Sequence, residues 1–162
     1  MGKEKMTKLE KQWVLYDVGN SAFVMLVSTI IPIYFKNMAT ASGISAANST
    51  AYLSYAISIS TILVALLGPV CGAAADNKGF KKPLFTAFMM IGVIACAAMG
   101  IPKTWLAFLV VFVIAKVGFS GSLIFYDSML VDVTTDERMD EVSSHGYAWG
   151  CLLYTSDAAD EE

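Results

Sequence analysis

The chain has 162 residues, of which 56% are hydrophobic and 15% charged, and its formal net charge is −3. Since soluble domains carry roughly a quarter charged residues, this composition argues against an ordinary soluble domain and favours a membrane protein. Four acidic residues lie among the last six, so the net charge indicates neither nucleic acid nor another charged partner.

The hydrophobic residues fall in long continuous blocks and not in the alternating pattern of strands. Blocks of about 20 residues match a hydrocarbon core about 30 Å thick. In lipid, only helices and closed barrels satisfy every backbone hydrogen bond. We therefore predict an all-α membrane protein with spans at 13–35, 52–75, 84–101 and 105–130, and a fifth span that begins near Tyr147.

The lysines predict the orientation of these spans. Four lysines precede the first span: Lys3, Lys5, Lys8 and Lys11. Three lie between the second and third spans: Lys78, Lys81 and Lys82. The other two short loops hold one lysine each, Lys36 and Lys103. Because basic residues are retained on the cytoplasmic side, residues 1–12 are predicted to form a cytoplasmic N-terminus. A cleaved signal peptide fits poorly, since the first block contains Asp17 and Asn20 and lacks an Ala-x-Ala site.

Polar residues within the predicted spans are candidates for solute binding or coupling: Asp17, Asn20, Lys116, Tyr126 and Asp127. An ionisable group in hydrocarbon costs at least a few kcal/mol unless it faces a cavity or a partner. Lys116 lies about 17 Å from the outer end of its span, near the midplane. A structural alternative stays open, in which Asp17 and Asn20 cap or kink the first span, Asp127 is hydrated, and Lys116 pairs with a helix beyond this chain.

The loop between the second and third spans reads GAAADNKGFKKP, at 72–83. Its spacing, Gly-x-x-x-Asp-x-x-Gly-x-Lys-Lys, is formed by Gly72, Asp76, Gly79, Lys81 and Lys82. Gly79 is expected to supply a turn, Asp76 to approach the N-terminus of a neighbouring helix, and the lysines to hold carboxylates on a facing helix. The spacing resembles the corresponding loop of the major facilitator superfamily, which implies a cytoplasmic gate. The alternative is a loop whose lysines only maintain orientation.

Four further stretches, LYDVGNSAF, IPIYF, LIFYDSMLVDV and VSSHGYAWG, resemble the vacuolar amino-acid effluxer branch of that superfamily and its bacterial relatives. The pattern differs at Val18, Asp127 and His145, where the branch usually has Trp, Asn and Arg. The resemblance implies the N-terminal part of a twelve-helix, two-bundle transporter in a bacterial plasma membrane. It further implies alternating access for a small solute such as an amino acid, with Asp17 and Lys116 as a substrate or proton-coupling pair.

The C-terminal stretch CLLYTSDAADE matches, letter for letter, the translation of a commonly used transposase sequencing adapter. We therefore expect residues 151–162 to be an adapter artefact. The C-terminal bundle of the transporter would then be a missing partner of the residues before this stretch.

Two other functions would also fit a membrane protein of this composition. The first is an intramembrane phosphotransferase that binds Mg²⁺ through the carboxylates of an acidic run at 132–141. Such an enzyme would also need basic residues to bind phosphate, and Arg138 is the only basic residue in this run. The second is a four-span protein that works as a homo-oligomer. The chain has no Gly-x-x-x-x-Gly-Lys-Ser/Thr motif, and we expect no cofactor and no metal.

In the fourth span, Gly118 and Gly121 predict close helix packing, and Gly68 and Gly72 predict the same in the second.

Overall fold

The computed structural model describes residues 6–75, 79–135, 138–140, 142–146 and 148, apart from the side chain of residue 131. These ranges contain helices and turns and no strand, which confirms the predicted all-α class. The helices are α1 Lys8–Met25, α2 Ile31–Ala41, α3 Ala46–Ala75, α4 Lys81–Ala98, α5 Trp105–Ser128 and α6 Leu130–Val133. The predicted start of a fifth span at Tyr147, the motif residue Asp76 and the adapter-like stretch at 151–162 lie outside the described residues.

Four helical stretches are long and apolar enough to cross a membrane: Lys8–Ala41, Ala46–Ala75, Lys81–Ala98 and Trp105–Ser128. Each overlaps one predicted span, but the first two continue into the polar residues that lie between the first and second predicted spans. The hydroxyl groups there bond to their own helices: Thr40 Oγ1 donates to the Lys36 carbonyl over 2.8 Å, and Ser49 Oγ donates to the Ala46 carbonyl over 2.8 Å. The two helices therefore extend beyond their apolar parts, and these hydroxyl groups are satisfied within their own helices.

A π-helical turn, Leu26–Ile30, joins α1 to α2. Pro32 has no amide hydrogen for the Ser28 carbonyl, so the regular helical bond is missing at this point. The Ser28 hydroxyl also bonds to the Val24 and Met25 carbonyls, over 3.0 and 3.2 Å. The helical stretch through the first predicted span is therefore irregular six residues after Asn20.

The chain divides into two compact units. The helical unit, Ile30–Ser128, contains α2 to α5, and the terminal unit combines the residues up to Thr29 with those from Met129 onward. In the helical unit α5 packs against α2, α3 and α4. Its side chains Phe108, Phe112, Ala115 and Phe125 are buried, so α5 forms the centre of this unit.

Glycines allow α4 and α5 to approach each other closely. A Cβ atom placed on Gly118 would lie 2.5 Å from the Gly92 amide nitrogen and 3.0 Å from the Phe88 carbonyl oxygen, and one on Gly121 would collide with the Phe88 ring. Close packing at Gly118 and Gly121 is thus confirmed. Gly72 differs, because a Cβ there would meet no described atom within 4 Å.

Candidate functional site

The turn between α3 and α4 is built around Gly79. Helix α3 ends at Ala75 and α4 begins at Lys81. Gly79 has a φ angle of +91°, in the left-handed region that favours glycine. This conformation fits the turn that the sequence predicts, and any side chain at this position would strain the backbone.

Lys81 contacts the end of α5. Its Nζ atom donates a hydrogen bond to the Ser128 carbonyl oxygen over 3.3 Å. The last carbonyls of a helix lack intrahelical donors and form the negative end of its dipole, so a lysine ammonium group is stabilised there. The sequence predicted carboxylate partners for the lysines. The contact that we observe is with a main-chain carbonyl, and we call it the Lys81–Ser128 clasp.

A small apolar core lies between the helices that carry the clasp. Cys71, Ala75 and Phe125 are buried together, from α3 and α5, and three α4 side chains pack against them: Leu84, Phe85 and Phe88. The ring centroids of Phe88 and Phe125 are 5.7 Å apart. The three helices thus pack together at the end where the turn lies, and this apolar core supports the turn.

The clasp predicts different effects for two adjacent lysines. We expect Lys81→Ala to lower the free energy of unfolding by about 1 kcal/mol, because the α5 carbonyl loses a charged donor. Lys82 is exposed, so Lys82→Ala is expected to change it by less than about 0.5 kcal/mol. Unfolding of the purified protein in detergent micelles measures both values. Equal effects of the two substitutions would mean that the Lys81–Ser128 clasp contributes nothing to stability.

The predicted residues of the fourth span differ in exposure. Tyr126 is 4% exposed, Lys116 is half-buried and Asp127 is exposed. Neither Lys116 nor Asp127 forms an ion pair with another described residue. Asp17 belongs to the terminal unit and Lys116 to the helical unit, so their pairing stays a prediction.

In the terminal unit, a buried carboxylate organises the start of α1. Glu10 is 2% exposed, and its Oε2 atom accepts the Thr7 amide over 2.7 Å, which completes a capping box with the Thr7 hydroxyl. Its Oε1 atom accepts the Thr134 hydroxyl over 2.8 Å and lies 3.2 Å from Arg138 Nη1. These donors stabilise the charged carboxylate and join α1 to residues more than 120 positions later.

Asp17 and Asn20 lie on one side of α1, since they are three residues apart. A Cβ on Gly146 would lie 3.3 Å from Asp17 Oδ2 and 3.1 Å from Trp13 Cζ3, so the helical residues 142–146 pack closely here. The Asn20 Oδ1 atom is buried and accepts no hydrogen bond from the residues that the structure describes. An unpaired buried acceptor of this kind costs about 1–3 kcal/mol, and a ligand donor or water would remove that cost.

Glu10 was not among the predicted site residues, although part of its role has a sequence signal. Thr7 followed three residues later by Glu10, just before an apolar run, is the signature of a capping box. Arg138 is the only arginine of the chain. No local pattern, however, connects it to Glu10.

The acidic run gives the magnesium hypothesis no support. Asp132 and Asp140 are exposed, and Asp136, Glu137 and Glu141 lie outside the described residues. Within the described ranges, no three His, Cys, Asp or Glu side chains come together as a metal site.

Comparisons with known proteins agree on one family. The family model described as "Vacuole effluxer Atg22 like" matches residues 43–148. The chain is also 46% identical, over 152 residues, to a protein of Bacillus subtilis (strain 168) named as the MFS-type transporter YxiO. That alignment covers 92% of this chain and 36% of the relative, so the chain spans about a third of the relative's length. No solved structure matches significantly.

Proposed function

Because this chain belongs to the Atg22-like effluxer family of the major facilitator superfamily, we propose that it forms the N-terminal part of a secondary transporter. In this proposal the whole protein has twelve spans in two bundles and works by alternating access. It carries a small solute of the amino-acid class, and transport of the solute is coupled to proton movement. The four helices long enough to cross a membrane supply the first spans.

The observation that carries the proposal is the buried Asn20 Oδ1 atom without a hydrogen-bond donor in the described structure. An acceptor of this kind within an apolar span suits an N–H donor, such as the ammonium group of an amino acid. Asp17 lies on the same side of α1 and would add a negative charge that favours a cationic group. A solute site lined by these two side chains accounts for the presence of polar residues within an apolar span.

The motif loop supports the same proposal. We propose that the turn at Gly79, held by the Lys81–Ser128 clasp, is a cytoplasmic gate element, together with Gly72, Asp76 and Lys82. A gate needs a firm support against which a neighbouring bundle can open and close, and the apolar core of Cys71, Ala75 and Phe125 provides one. In this proposal the N-terminus lies in the cytoplasm, which the lysines before the first span and in this loop support, and the membrane is a bacterial plasma membrane.

Transport by the full-length protein tests the proposal. We expect vesicles containing it to move radiolabelled amino acids with a dependence on the pH gradient, and Lys116→Gln to lower the transport rate at least about tenfold, as loss of a charged contact in the site predicts. Asn20→Ala should raise KM. Lys103→Gln, which alters an exposed lysine between α4 and α5, is the matched control and should keep the wild-type rate.

Two results would overturn parts of this proposal separately. If no amino acid moves in either direction, the solute class is wrong. If amino acids move and Lys116→Gln leaves both the affinity and the pH dependence unchanged, Lys116 is outside the site and the coupling pair with Asp17 is rejected.

A further inference from the structure

The first turns of α1 present two exposed lysines on one face. Lys8 and Lys11 are three residues apart, so they occupy neighbouring positions on the helix surface. Both side chains are exposed, and neither has an ion-pair partner among the residues that the structure describes. Within the described part of the chain, their charges are therefore not neutralised by an ion pair.

Glu10, the only acidic residue at positions 6–16, does not cancel these charges. It is 2% exposed and lies between the two lysines in sequence, but about 100° or more away from each around the helix. Its carboxylate is occupied by Thr7 and Thr134 and is paired with Arg138. The exposed face of α1 thus keeps the positive charges of Lys8 and Lys11.

The next exposed side chain on this face sets the depth of the lysines in a bilayer. Leu15 lies four residues after Lys11, on the same side of the helix, and is 69% exposed. The helical rise separates Leu15 from Lys11 by about 6 Å and from Lys8 by about 10 Å along the axis. The polar layer of a leaflet is about 5–8 Å thick, so both lysines reach the phosphate level when Leu15 lies at the hydrocarbon edge.

We propose that Lys8 and Lys11 form a binding surface for anionic phospholipid headgroups. The two ammonium groups hold the negatively charged phosphate, and Leu15 contacts the upper part of the acyl chain. A basic residue near an anionic membrane surface raises affinity about fivefold, or about 1 kcal/mol. This surface involves neither Asp17, Asn20 nor Lys116, so it is independent of the transported solute.

Lipid binding to the purified full-length protein tests this surface. The protein in neutral detergent is titrated with phosphatidylglycerol or with uncharged phosphatidylcholine, and bound lipid is counted by native mass spectrometry. We expect tighter binding of phosphatidylglycerol, and a loss of about 25-fold in the variant with Lys8→Gln and Lys11→Gln. Replacement of both residues by Arg should preserve binding, because the charge remains.

The matched control replaces two exposed lysines elsewhere, Lys36→Gln and Lys103→Gln, which removes the same net charge. It should keep the wild-type affinity. The proposal is rejected if this control loses as much affinity as the Lys8 and Lys11 variant, or if that variant binds phosphatidylglycerol normally. Displacement of the lipid by an equal concentration of inorganic phosphate would also reject it, since the surface would then recognise a free anion.

Discussion

Replacing Gly118 by Ala is expected to lower the free energy of unfolding by about 3 kcal/mol, at the upper end of the range for overpacked interiors. The added methyl group would meet the backbone of α4, 2.5 Å from the Gly92 amide nitrogen and 2.9 Å from its Cα. Backbone atoms cannot rotate away as a flexible side chain can, so α4 and α5 must separate. Their separation also disturbs the contact of the Phe88 and Phe125 rings near the turn at Gly79.

Gly68→Ala is the matched control for this substitution. Gly68 lies within α3, and a Cβ there would meet Ile124 Cδ1 at 3.9 Å, an ordinary van der Waals distance. We expect this variant to be as stable as the parent or up to about 1 kcal/mol more stable, because alanine favours a helix. Thermal unfolding and size-exclusion chromatography in detergent compare the two variants, and equal stability would contradict the close packing of α4 and α5.

Removing Arg138 is expected to have the second large effect. The Glu10 carboxylate would stay buried with its two threonine donors but without a positive partner, and breaking such a pair costs about 3–5 kcal/mol. Because the Arg138 side chain is 19% exposed and water retains some access, we expect about 3 kcal/mol for Arg138→Met. The free energy of unfolding in mixed micelles, followed by tryptophan fluorescence, measures this loss.

A double-mutant cycle shows whether the loss belongs to the pair. Glu10→Gln removes the buried charge, so adding Arg138→Met to it should cost at least about 1 kcal/mol less than Arg138→Met costs alone. If the two losses simply add, Arg138 stabilises the protein through other contacts and the ion pair has no measurable coupling.

The residues of the candidate gate could be predicted from the sequence, but most of their contacts could not. The turn at Gly79 follows from local chemistry, since glycine readily adopts a positive φ angle. The partner of Lys81 does not, because its spacing in the loop carries no information about which helix end lies nearby. The contact of Lys81 with the Ser128 carbonyl was therefore seen only in the structure, and the predicted carboxylate partners stay a prediction. Asn20 was singled out as a polar residue in an apolar span, but its unpaired oxygen was visible only in the structure.

Local patterns in the sequence determined the helical class and the four apolar stretches, because helix formation in lipid depends on runs of neighbouring residues. Only the tertiary structure distinguished Gly118, where the backbones of α4 and α5 meet, from Gly72, where an added Cβ would meet no described atom within 4 Å. It also brought Arg138 and Thr134 to Glu10. Contacts between residues so distant in the chain depend on which helix faces pack together, and the sequence pattern of a single helix does not specify its partner.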